Sequence, residues 1–115
     1  MMHNENAKKC YLIGEASLSI ACGNVLLQNG LQLCGVLSES EEVSRWATSH
    51  RIPLLSSLEM LESTIKKEGC DYLFSIINER ILPSSIFSLP RCLAINYHDS
   101  LLPSYAGTNA TSWAL

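Results

Sequence analysis

The residues best suited to chemistry fall in one run, Asn96-Tyr97-His98-Asp99-Ser100-Leu101-Leu102-Pro103, with Tyr105-Ala106-Gly107 just beyond it. Asn96 and His98 are two positions apart. On an extended backbone that spacing puts both side chains on the same side. A carboxamide and an imidazole converging on one centre are equipment for acyl transfer. The amide steadies an oxyanion, and the imidazole moves a proton or donates a hydrogen bond. The plain alternative is an Asn and a His at a strand end, each satisfied by backbone.

The elements that must position this pair can be read from periodicity. Cys10 to Ile13 is an apolar run ending at Gly14, a strand. A helix follows, with Leu18, Ala21, Cys22, Val25 and Leu26 at helical spacing and Asn29-Gly30 as its stop. Leu31 to Leu37 is a second strand. Ser40 caps the next helix, with Glu41 and Glu42 in its first turn and Val43, Trp46, Ala47 and His50 along one face. Ile52 to Leu55 is short and extended. Ser57 caps a third helix with Leu58, Leu61 and Ile65 inward, stopping at Gly69. Tyr72 to Ile77 is a continuous apolar run, the mark of a strand buried on both faces. A short helix spans Leu82 to Leu89, with Pro83 in its first turn. Cys92 to Ile95 is another strand, delivering Asn96, Tyr97 and His98 into a loop. Thr111 to Leu115 begins a helical run without a stop signal, which suggests a fragment. Alternating strands and helices specify an α/β fold: a mainly parallel sheet with helices on both faces and ligands beyond the carboxyl ends of its strands.

Composition narrows the function classes. The chain has 115 residues, 47% hydrophobic and 17% charged, with a formal net charge of -3. That fits one domain and argues against direct nucleic-acid binding, which needs a basic patch. No apolar run is long enough to span a membrane, and Met1 to Lys9 lacks the pattern of a signal peptide. Residues 1–8 read as a disordered tail. The cysteines at 10, 22, 34, 70 and 92 read as free buried thiols of a reducing cytoplasm. No metal site follows from the His and Cys spacings. Gly14 lacks the further glycines of a dinucleotide-binding turn, and Glu15 and Ser17 read as helix-start residues. Trp46 and Trp113 read as packing residues, and His50 as a structural histidine on the inner helix face.

The run Asn-x-His-x-Ser-Leu-Leu-Pro after an apolar strand resembles the signature of the formyltetrahydrofolate-dependent formyltransferases. Asp71 to Ile77 takes the place of the strand before that family's folate loop. Ile81-Leu82-Pro83 and Leu89-Pro90 also match, so the resemblance covers residues 9–115 with its specificity between 71 and 115. Gly14 to Leu18, Asp71 to Ile77, His98 to Ser100, Tyr105 to Gly107 and Thr111 to Leu115 are similar to formyltransferase-like domains that open nonribosomal peptide and polyketide synthetases. Ser104 and Ala106 stand where methionyl-tRNA formyltransferases carry a basic residue and Arg-Gly.

The resemblance implies a Rossmann-like sheet and 10-formyltetrahydrofolate as co-substrate, with no metal. Asn96 and His98 would stabilise the tetrahedral oxyanion, and His98 would move the proton. Ile77, Asn78, Glu79, Arg80, Ile81 and Leu82 would line the pterin pocket. Ser100, Leu101, Leu102 and Pro103 would shape the floor of the site. The family's aspartate, which raises the imidazole pKa, falls beyond Leu115. Asp99 would point away from His98, and Asp71 starts a strand at the opposite edge of the sheet. The acceptor is a primary amine: an aminoacyl group on a carrier protein first, then an amino-sugar nucleotide, then aminoacyl-tRNA. The alternatives are a non-catalytic folate-binding or docking remnant and an unrelated nucleotide-binding α/β domain. An incomplete domain is also expected to self-associate through an unpaired edge strand and exposed apolar surface.

Overall fold

The computed structural model describes residues 7–76, 82–97 and 112–113. In chain order the elements are β1 (Lys9–Gly14), α1 (Ala16–Gln28), β2 (Gln32–Leu37), α2 (Glu41–Ser49), β3 (Leu54–Leu55), α3 (Leu58–Glu68), β4 (Tyr72–Ile76), α4 (Ser84–Phe87), β5 (Leu93–Tyr97) and β6 (Ser112–Trp113). The strands form one sheet in the order β3-β2-β1-β4-β5-β6. β1 to β5 run parallel, and β6 is antiparallel to β5. This is the α/β, Rossmann-like architecture that the strand–helix alternation specifies.

Each face of the sheet carries its own core. On one face Tyr11, Ile13, Leu73 and Ala94 pack with Leu61, Ile65 and Ile86 from α3 and α4. On the other, Cys10, Leu12, Leu33 and Val36 pack with Leu26, Val43 and Ala47 from α1 and α2. Removing both faces from water is what lets parallel strands be apolar along their whole length. β4 departs from that expectation. Leu73, Ser75 and Ile76 are buried, whereas Tyr72 and Phe74 are only half-buried on the α1/α2 face.

Local signals fix the helix ends. Ser40 Oγ accepts from the Val43 N–H at 3.3 Å, and Ser57 Oγ accepts from the Met60 N–H at 3.0 Å. Each satisfies one otherwise orphaned donor of a first turn. Gly69, at φ 88°, ends α3 in a conformation that a residue with a Cβ avoids.

Four expectations need correction. The inward face of α1 is Ser19, Gly23 and Leu26, while Leu18 and Val25 are exposed. The cause is contact rather than hydropathy: a Cβ on Gly23 would sit 2.3 Å from the Trp46 ring, so α1 approaches α2 through its smallest residue. His50 is exposed at the end of α2, tilted 40° against the Trp46 ring at 4.9 Å between ring centres, with Nδ1 2.9 Å from the Trp46 carbonyl. Asn96 and Tyr97 lie within β5, because Ser75 and Ile76 of β4 extend the ladder to meet them. Ser112 and Trp113 are strand, paired with Ile95 and Ala94, so the outer edge of β5 has a partner.

Candidate active site at the carboxyl edge of the sheet

The strand order reverses between β1 and β4. α1 and α2 lead outward on one side, and α3 carries the chain back across to the other. Ligands of open α/β sheets bind at the carboxyl ends beside such a reversal. Here Gly14 ends β1 against Ile76 of β4, and Ile76 lies against Tyr97 of β5. One position below, Ser75 stands between Ile13 and Asn96.

The turn after β1 is pinned to the end of β4. The Ile76 carbonyl accepts from the Glu15 N–H at 3.3 Å and lies 3.2 Å from the Ser19 hydroxyl. The same hydroxyl lies 2.7 Å from the Glu15 carbonyl and shares its one proton between the two acceptors. Gly14 is required at this approach, since a Cβ there would sit 2.4 Å from the Ile76 carbonyl oxygen. Ala16 follows at φ 70°, a left-handed conformation outside glycine's usual monopoly. Glu15 occupies the N-cap position of α1 without capping it. Its carboxylate instead accepts from the Ser38 hydroxyl at 2.8 Å and from the Glu39 N–H at 3.0 and 3.1 Å, tying the β1 and β2 exits together. Ser17 is exposed. Sequence reasoning missed Ser19 as part of this edge. A buried serine inside a helix carries no hydropathy signal.

Asn96 follows Ala94 along β5 and shares its face, the one covered by α3 and α4. It is half-buried, beside the fully buried Ser75. Among the described residues no hydrogen bond is made by its carboxamide, which carries two donors and an acceptor. Leu82 is half-buried and packs on the core with Ile86 and Leu89. The other expected site residues, His98, Ile77, Asn78, Glu79, Arg80, Ile81, Ser100, Leu101, Leu102 and Pro103, lie outside the described residues. So does Asp99.

The rest of the chemistry lies at the amino edge. Asp71 accepts from the Lys9 N–H at 2.8 Å and from Arg91 Nε at 3.1 Å. These bonds hold its carboxyl below the usual carboxylate range, the Lys9 contact most strongly. Burial pushes the thiols of Cys10 and Cys70 up to about 12, whereas Cys92 is exposed. All five cysteines are free. Among the described residues no group of His, Cys, Asp or Glu is placed to hold a metal ion, and no helix is long and apolar enough to cross a membrane. Cavities of about 480 and 500 Å³ open toward the amino ends of the strands, away from Asn96.

Comparison with known proteins places this geometry among relatives. Residues 38–115 match the family described as formyl transferase. The methionyl-tRNA formyltransferase of Alkaliphilus oremlandii is 24% identical over a match covering 93% of this chain and 40% of that protein. That of Thermosynechococcus vestitus is 33% identical over 64% of this chain and 24% of its own length. Among solved structures, a formyltetrahydrofolate deformylase from Pseudomonas putida superposes with a TM-score of 0.65 at 18% identity, over 93% of this chain and 43% of that one. At that identity the likeness is one of fold. The chain spans about 40% of the length of the curated relatives that it matches.

Proposed function

Because the chain belongs to the formyl transferase family, we propose that it takes part in formyl transfer from 10-formyltetrahydrofolate to a primary amine. The observation that carries this reading is the family match over residues 38–115, which contains the whole Asn96 to Pro103 run. The Asn96 carboxamide, half-buried at the end of β5, fits the role. A donor amide fixed on a rigid strand can meet an oxygen on which negative charge develops, and no reorganisation is needed at that moment. The folate supplies the formyl group. Asn96 binds and polarises its oxygen, and His98 adds a hydrogen bond and accepts the proton released by the attacking amine. Residues 77–82 line the pterin, with Ser100 to Pro103 beneath.

For the acceptor, an aminoacyl group on a carrier protein comes first, in a synthetase-like cytoplasmic setting. Ser104 and Ala106, in place of basic residues, and the net charge of -3 support it over a tRNA. The alternative reading is folate binding or docking without catalysis.

The test is formyl transfer from 10-formyltetrahydrofolate to an aminoacyl carrier protein and to methionyl-tRNA, with formate release as a control. Asn96→Ala and His98→Ala are each expected to lower kcat about 100-fold or more. Full activity in both variants overturns the mechanism. Folate binding without transfer to any amine selects the non-catalytic reading.

A further inference from the structure

Two rows of side chains cross the centre of the sheet on the face that α3 and α4 cover. The first, Tyr11, Leu73 and Ala94 on β1, β4 and β5, is buried in the core. The next row toward the carboxyl edge is Ile13, Ser75 and Asn96. Polarity changes between these rows. Ser75 is fully buried in a strand whose other inward residue is Leu73, and it is the direct β4 partner of Asn96. Burying a hydroxyl there has a cost that Ala or Val at the same place would avoid.

Neighbouring strands lie about 4.8 Å apart, and paired residues on one face are within reach of each other's side chains. An amide that is to steady an oxyanion must present its nitrogen and keep its own oxygen away. Among the described residues the Asn96 carboxamide makes no hydrogen bond that would fix this choice. Bonds around a reacting group commonly tighten only when that group arrives.

We infer that Ser75 is a positioning residue for Asn96, an inference that rests on the formyl-transfer reading above. As the folate binds, the Ser75 hydroxyl donates to Asn96 Oδ1 and turns the Nδ2 protons toward the formyl oxygen. The hydroxyl need not give up another acceptor to do so, since one proton can be shared, as that of Ser19 is between Glu15 and Ile76.

The experiment compares formyl transfer by the wild type, Ser75→Ala, Ser75→Cys, Asn96→Ala and the double variant Ser75→Ala/Asn96→Ala. Cysteine fills nearly the same space with a much weaker donor. Ser75→Ala and Ser75→Cys are each expected to lower kcat about tenfold, with KM for the folate unchanged. In the Asn96→Ala background the Ser75→Ala change should cost nothing further, because the group it positions is gone. A readout independent of turnover is the saturable shift of an Asn96 side-chain NH₂ proton on adding 10-formyl-5,8-dideazafolate, which should shrink in both Ser75 variants. Wild-type kcat in Ser75→Ala, recovery of the rate in Ser75→Cys, or an equal loss in both backgrounds overturns this inference and leaves the formyl-transfer reading standing. Full activity in Asn96→Ala overturns both.

Discussion

The Ser19 hydroxyl in α1 lies 3.2 Å from the Ile76 carbonyl at the end of β4. That contact joins positions 57 residues apart in sequence at the reversal point of the sheet. It stitches the turn after β1 to the strand that leads into residues 77–82, the segment proposed to line the pterin.

Ser19→Ala removes that shared proton but leaves the Ile76 carbonyl its bond from the Glu15 N–H. The expected cost is about 1 kcal/mol. Gly14→Ala is expected to cost more, about 1–3 kcal/mol, because its Cβ would meet Ser19 Oγ at 2.2 Å and the Ile76 carbonyl oxygen at 2.4 Å. Urea unfolding measures both. Equal, negligible losses would show that the β1 exit is not held against β4 as described.

Asp71 ties the amino ends of β1, β4 and β5. Its carboxylate accepts from the Lys9 N–H, and its backbone carbonyl accepts from Cys92 at 2.9 Å. Its folded pKa is lowered, chiefly by the Lys9 hydrogen bond, with Arg91 adding to it. The charged form is therefore favoured by folding. That stabilisation is complete above the unfolded carboxylate value of about 4 and is lost as pH falls through the lower folded value. Asp71→Asn should cost about 1.5–3 kcal/mol near neutrality and flatten the fall of stability below about pH 4. Arg91→Gln should do less, since that side chain is largely exposed. Unfolding midpoints taken between pH 3 and 7 test this, and an acid limb unchanged in Asp71→Asn would refute it.

The thiols should separate by burial. Cys92 is exposed, while Cys10 and Cys70 are buried and pushed up to about 12. At pH 8, iodoacetamide should modify Cys92 first and leave Cys10 and Cys70 intact until the protein unfolds. Mass mapping over a time course reads this directly. Early loss of Cys10 would mean that the core between β1 and α1 is open.

Much of the fold was legible because its signals are local. Apolar runs before Gly14, up to Leu37 and from Tyr72 mark strands, and Ser40 and Ser57 cap helices as their side chains suggest. What could not be read depends on contacts between distant residues. The buried face of α1 is set by Ser19 against Ile76 and Gly23 against Trp46, not by Leu18 and Val25. Trp113 is strand because Ala94 pairs with it, a partner that a five-residue window cannot reveal. The position of Asn96 at the carboxyl edge was legible, because it follows an apolar run. The tie that Glu15 makes to Ser38 and Glu39 was not, because a glutamate before a helix reads as a helix-start residue.

In the proposed reaction the Asn96 carboxamide meets the formyl oxygen of the folate donor. The direct measurement follows its side-chain NH₂ resonances as the stable analogue 10-formyl-5,8-dideazafolate is added. A saturable downfield shift of one Asn96 proton is expected, absent with the deformylated 5,8-dideazafolate. Binding that leaves both Asn96 protons unmoved, or shifts them equally with and without the formyl group, would contradict it.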